Sequence, residues 1–332
     1  MIELPSHSEW LRGGAYALAM GLPLSLSYFV NAPNILAYMA MGAMFSLRLD
    51  PHRSPKRQAA AILGGMLLMI ASAGLGVLLV GHKGLSIAAL VLIAYLAGQP
   101  KSDQAYLSLL TKFIAAAMLL ADMGLPTNAG VALAYFVGAI WAFMLSLLGD
   151  WLQPDDNSGW SPADELHRLM AGDINGPLFG LTLPITILAA TLTADMLHAQ
   201  HAAWVGLTVL FVMHVNDANT WTRLRQRMIG TLLGVGLAYV AVLWLPRPLF
   251  PPLITVLALL IPTLLRQSYQ WFSLLITLVV LLVIDIAMTH QGGDLTLLRW
   301  RFFDTLIGCM WVAIALVLLR FAKHWWPERT TE

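Results

Sequence analysis

The chain has 332 residues, of which 58% are hydrophobic and only 11% charged, with a formal net charge of +1. Soluble globular chains carry about 25% charged residues, so the deficit excludes a soluble enzyme and a disordered protein, and the near-zero balance excludes a nucleic-acid binder. The one cysteine, Cys309, excludes a disulfide framework and a cysteine-based zinc site. What remains is an all-α polytopic membrane protein, solvated by a lipid bilayer.

A spanning helix needs about 20 mainly apolar residues. Residues 13–47 contain no charge and hold two spans, hinged near Asn31-Ala32-Pro33-Asn34. Apolar stretches at 58–81, 84–99, 104–123 and 127–149 complete a first six-helix unit, residues 1–149. The polar segment 150–175, with Pro154, Pro162 and Ser/Gly clusters, reads as a cytoplasmic linker. Stretches at 176–195, 199–215, 228–245, 249–265, 269–288 and 301–321 form a second unit, residues 176–332. None of them alternates as barrel strands do, so about twelve transmembrane helices are expected. The first stretch lacks a small-residue cleavage site and reads as a retained span.

Orientation follows the placement of Lys and Arg. With the N-terminus inside, most of the 19 basic residues fall on the cytoplasmic side, and only Lys83, Arg247, Arg299 and Arg301 fall outside. Both termini are then cytoplasmic.

The two units share an order of features. Phe45-Ser-Leu-Arg-Leu-Asp50 before a basic loop matches Phe211-Val-Met-His-Val-Asn216 before another, and Leu63-Gly64 matches Ile229-Gly230. Asp122 and Asp285 lie late in the fifth spans, and Gly138/Trp141 matches Gly308/Trp311 in the sixth. Six helices per unit is an even number, so both units insert the same way round. The repeat is parallel, with a substrate path between the halves.

In the second unit, Trp204-x-x-Leu207-Thr208 and Thr220 precede Arg227-x-x-Gly230-Thr231-x-x-Gly234, and Arg301-x-x-Asp304-Thr305-x-x-Gly308 follows. This pattern resembles the fusaric-acid-resistance and aromatic-acid-exporter superfamily of inner-membrane proteins, over roughly residues 200–320. The resemblance implies bacterial inner-membrane localisation, efflux of organic or aromatic acids, and a periplasmic adaptor of the membrane-fusion class. The chain is like a compact member, because only a short linker stands where long members carry a soluble domain. A passive anion channel and a non-transporting subunit of an efflux assembly are the alternatives. Homo-oligomerisation is compatible with either.

Gly230 and Gly234 form a small-residue stripe that lets another helix approach closely. Arg227 either anchors this stripe at the cytoplasmic mouth or holds a substrate carboxylate with its guanidinium fork. Lys112, inside the fifth span, either snorkels to the surface or attracts the anion. Arg301 is a third substrate-binding candidate, although its i, i+3 spacing also allows an ion pair with Asp304. An aspartate at a helix centre costs about 2.5–3.5 kcal/mol to insert, so Asp285, Asp122 and Asp304 are candidates for proton coupling, with helix-to-helix hydrogen bonding as the bland alternative. Pro23, Pro184 and Pro262 interrupt apolar spans. No phosphate-binding loop, nucleophile–base pair or metal-ligand motif occurs, so no enzyme activity and no cofactor are expected.

Overall fold

In a bilayer, backbone polar groups must be satisfied within each segment, which leaves helix as the outcome for apolar stretches. A computed structural model describes residues 6–30, 32–51, 54–100, 106–122, 128–152, 162–175, 177–197, 202–214, 217–287 and 295–325. The first unit holds α1 (His7–Val30), α2 (Pro33–Arg48), α3 (Pro55–Leu79), α4 (Lys83–Ala97), α5 (Tyr106–Asp122) and α6 (Ala129–Leu152). The linker contributes α7 (Pro162–Met170). The second unit holds α8 (Pro177–Met196), α9 (Ala202–Val212), α10 (Asp217–Trp244), the bent pair α11 (Phe250–Leu259) and α12 (Ile261–Gln267), α13 (Tyr269–Ala287) and α14 (Leu295–Trp325). Among the described residues there is no strand, only an isolated bridge between Pro100 and Ile174.

Each expected stretch is therefore a helix or a bent pair, but their lengths divide them. Seven helices are long and apolar enough to cross a bilayer, or eight if α11 and α12 form one span bent by 44°. The other four, α2, α4, α5 and α9, have 16, 15, 17 and 11 residues. At 1.5 Å per residue, α9 rises only about 17 Å. Nearly all its side chains are buried, so surrounding helices, rather than lipid, cover it. Pro262 breaks α11 from α12 because it lacks an N–H and clashes with the preceding turn. Pro23 and Pro184 stay inside continuous helices.

One boundary moves far. The expected span at Met228 begins instead at Asp217, because no Gly or Pro interrupts residues 217–227 and Leu224, Arg223, Arg225, Gln226 and Arg227 are good helix formers. Arg227 is thus well inside α10, about 15 Å from its start, and not at a loop end.

The two sets of six helices pack by the same pairings. α2 packs on α6, α3 on α5 and α1 on α2, as α9 packs on α14, α10 on α13 and α8 on α9. Contacts between the sets come in swapped pairs: α1 meets α11 and α12 as α8 meets α4, and α2 meets α13 as α9 meets α5. Swapped contacts of this kind are those of a two-fold arrangement. The indoles repeat the pattern, since Trp141 Nε1 donates to the Leu18 carbonyl at 3.4 Å and Trp311 Nε1 to Thr193 Oγ1 at 3.0 Å. In each set the sixth helix is tied to the first. One matched glycine is displaced by a residue: Gly64 faces open space, and its neighbour Gly65 meets Leu110 and Tyr106 of α5.

The largest apolar clusters cross between the sets. One joins Leu24, Met44 and Leu145 of α1, α2 and α6 to Ile254, Val279 and Leu282 of α11 and α13. Another joins Ala94 and Leu119 of α4 and α5 to Leu183, Leu210 and Leu316 of α8, α9 and α14. On the α10 face, a Cβ at Gly230 would lie 2.5 Å from the Gln270 carbonyl oxygen, and one at Gly234 2.7 Å from that of Leu274. Backbone therefore occupies the space of the missing side chains. Gly234→Leu is expected to wedge α10 from α13 and destabilise the protein by about 1–3 kcal/mol, the usual cost of overpacking. A lowered thermal midpoint in detergent would register it, while Gly236→Ala, at a position facing open space, should leave the midpoint unchanged.

A carboxylate of α7 ties it to the bundle. Glu165 on α7 is buried and accepts hydrogen bonds from the Tyr106 and Leu107 N–H groups, at 2.9 and 2.7 Å. These are orphan donors at the N-terminus of α5, where a negative charge also complements the helix dipole. Glu165→Ala should cost about 1–2 kcal/mol of local stability, in the range of lost helix caps. Faster hydrogen exchange at the first-turn amides of α5 is the expected signature.

Candidate functional site

The swapped packing leaves a cavity of about 1060 Å³ between the two sets, with walls from α1, α2, α3, α5 and α6 on one side and α9, α10, α12, α13 and α14 on the other. Lys112, Arg227 and Arg301, each on a different helix, all line it. Each is at most 7% exposed. Lys112 therefore does not snorkel to the surface. Arg301, assigned by the charge count to the outside, lies within the bundle.

Arg227 is placed by the close contact of α10 with α13. Its Nη1 donates to Ser273 Oγ at 3.5 Å, one helical turn from the Gly230 crossing point, while its Nε has no hydrogen-bond partner among the described residues. Arg301 sits between one and two turns into α14 and lies over the ring of Trp204 on α9, with the guanidinium carbon 4.0 Å from the ring centroid. Such stacking is worth roughly 0.5–2 kcal/mol. Arg301 Nη1 also lacks an acceptor among the described residues. The two guanidiniums are close enough to oppose each other electrostatically. Two buried cations, with unspent donors on a shared cavity wall, make an anion-binding arrangement.

The rest of the lining suits an amphipathic ligand. Phe45, Phe113 and Phe211 form a continuous aromatic wall across both sets, with centroid separations of 5.4 and 6.0 Å. Arg12, Arg48, Arg223 and Arg266 also line the cavity, against Glu9, Asp50 and Asp150. Glu9 is taken up by Arg266, at 2.6 Å, so the balance of the lining is positive.

The acidic candidates separate. Asp304 is fully buried, and neither of its carboxylate oxygens has a hydrogen-bond partner among the described residues. The ion pair with Arg301 that the i, i+3 spacing allows is not closed by a hydrogen bond, and Arg301 lies over Trp204 instead, although each group still feels the other's charge. Asp285 is not part of the cavity lining. It lies 3.8 Å from Arg247 Nε, beside Tyr28, whose hydroxyl donates to the Arg247 carbonyl at 2.7 Å. Asp122 ends α5, and its side chain lies outside the described residues. Among the described residues no group of three or more His, Cys, Asp or Glu side chains could hold a metal.

Two features had no clear sequence signal. Trp204 belonged to the motif without an evident role, since its partner is 97 residues away on α14. Asp50, Gln58, Ser146 and Asp150 form one polar cluster on α2–α3 and α6: Gln58 Nε2 donates to Asp150 and, at 3.2 Å, to Ser146 Oγ, which donates to Asp50. Gln58 and Ser146 fall inside expected spans while Asp50 and Asp150 fall just beyond span ends, so only tertiary packing reveals the cluster.

Residues 188–315 match a family model described as fusaric acid resistance protein-like. The chain is 33% identical to the inner membrane protein YccS of Escherichia coli over 133 residues, which cover 39% of this chain and 17% of that protein. It is 28% identical to YhfK of the same organism over 129 residues, covering 39% and 18%, and 31% identical to a Haemophilus influenzae protein over 163 residues, covering 46% and 20%. The matched part thus spans a fifth or less of each of these relatives. No solved structure matches. This is a membrane protein of multiple apolar helices that, from α8 into α14, is similar to the fusaric acid resistance protein-like family, over a segment containing Trp204, Arg227, Arg301 and Asp304.

Proposed function

We propose that this chain is an inner-membrane exporter of organic acids, aromatic ones included, that binds the substrate anion in the cavity between two parallel six-helix units, residues 1–149 and 176–332. The observation that carries the reading is that Lys112, Arg227 and Arg301, from three helices, all line one cavity. The cations hold the carboxylate, and the Phe45–Phe113–Phe211 wall takes the apolar body. The basic-residue bias supports cytoplasmic termini, so that the cavity is filled from inside.

Transport is proton-coupled in this reading. Asp304 beside the cations and Asp285 beside Arg247 are the carboxylates available for it, with Asp122 as the counterpart of Asp285 in the first unit. The family resemblance adds a periplasmic adaptor as partner, to be tested by co-purification under mild detergent.

The direct test is benzoate binding and flux with the purified protein. Arg227→Gln and Lys112→Met are each expected to weaken benzoate binding by about tenfold to a hundredfold, as the loss of one charge-assisted hydrogen bond implies, with insertion and thermal midpoint preserved. Trp204→Leu, which frees Arg301 from its stack, should weaken binding by about threefold to thirtyfold. Unchanged affinity in all three variants would place the anion site elsewhere, and large unitary currents in planar bilayers would mark a passive channel instead.

A further inference from the structure

We propose that Arg301 couples the anion to a proton, so that an anion seated on Arg301 is accompanied by a proton on Asp304. The proposal rests on the anion-site reading and names the sense of its coupling. Asp304 follows Arg301 by three residues on α14, on the same helix face. Its carboxylate is fully buried and accepts no hydrogen bond from any described residue. The charge of Arg301 is therefore its main support. Arg301 itself lines the cavity, lies over the Trp204 ring, and keeps Nη1 without an acceptor among the described residues.

The other groups around Asp304 do not replace that support. Arg227 on α10 adds positive charge near Arg301 but makes no bond to Asp304. On α9, residues 203–212 carry no ionisable side chain. On α8 the one ionisable side chain is Asp195, near its end and exposed. A carboxylate ligand on Arg301 brings a second negative charge to a cation that Asp304 already uses. Two carboxylates sharing one site disfavour double ionisation, so the buried one takes a proton. An O–H bond forms on one Asp304 oxygen with a proton from bulk water, and that bond breaks when the anion leaves. No electron is transferred.

By linkage, the proton in turn favours the anion. The unit moved is then an anion together with a proton, an electroneutral pair, and not an anion exchanged for a proton. Outward flux follows the accumulation of the acid inside the cell and is insensitive to the membrane potential.

The experiment measures proton uptake when benzoate is added to the protein in lipid nanodiscs, with a pH indicator, in weak buffer near neutral pH where benzoate itself stays ionised. Wild type is expected to take up as much as one proton per benzoate bound, and its benzoate Kd to rise by up to tenfold per pH unit. Asp304→Asn, which mimics the protonated state, should show no uptake and a Kd independent of pH. If that variant does not fold, infrared difference spectra of wild type decide the matter, since benzoate should produce the carbonyl stretch of a newly protonated carboxyl. Benzoate binding without uptake and without that band, or uptake that persists in Asp304→Asn, overturns the coupling while leaving the anion site standing. Absence of benzoate binding by wild type overturns the anion site itself, and the coupling with it.

Discussion

Placing two guanidinium groups inside an apolar bundle is the constraint around which the second unit is built. Removing a cation from water costs several kcal/mol unless partners replace the hydration. The protein supplies part of that replacement with uncharged groups, the Trp204 face for Arg301 and the Ser273 hydroxyl for Arg227. Donors are left over on both, and they line a cavity able to admit a ligand. A carboxylate ligand would complete what the fold leaves incomplete, which is the physical basis for reading the cavity as a binding site and not as a packing defect.

The positions of these cations depend on how closely helices can approach. Gly230 and Gly234 let the α13 backbone lie against α10, and this brings Ser273 to Arg227. Gly308 does the same between α14 and α9, where a Cβ would meet Thr208 and Val205, and this brings Trp204 under Arg301. A small residue at each crossing thus converts close packing into placement of a charge. In a bilayer such packing must carry much of the association, because lipid tails are as apolar as the side chains they cover.

The cavity lies between the sets because neither set closes on its own apolar surface. The largest clusters mix helices of both, and the inter-set contacts come as swapped pairs. The arrangement is symmetric in its packing and asymmetric in its chemistry. The first unit contributes Lys112 and the Asp50–Ser146–Gln58–Asp150 cluster, whereas the second contributes Arg227, Arg301 and the buried Asp304. Two sets of helices can thus keep the same pairings that apolar burial requires while each carries different polar residues.

Charge scarcity and long apolar stretches were enough to determine a helical membrane protein, because a bilayer offers the backbone no other partners. The motif around Arg227 and Arg301 was legible for a similar reason, since charges and glycines stand out in an apolar background. Span lengths, the depth of Arg227 and the burial of Lys112 and Arg301 were not legible. The polar residues 217–227 continue a helix, and a side chain's surroundings depend on helices distant in the chain. The tertiary structure alone decided that three cations from α5, α10 and α14 face one cavity, because helical periodicity gives each residue a direction but not the neighbour that it meets.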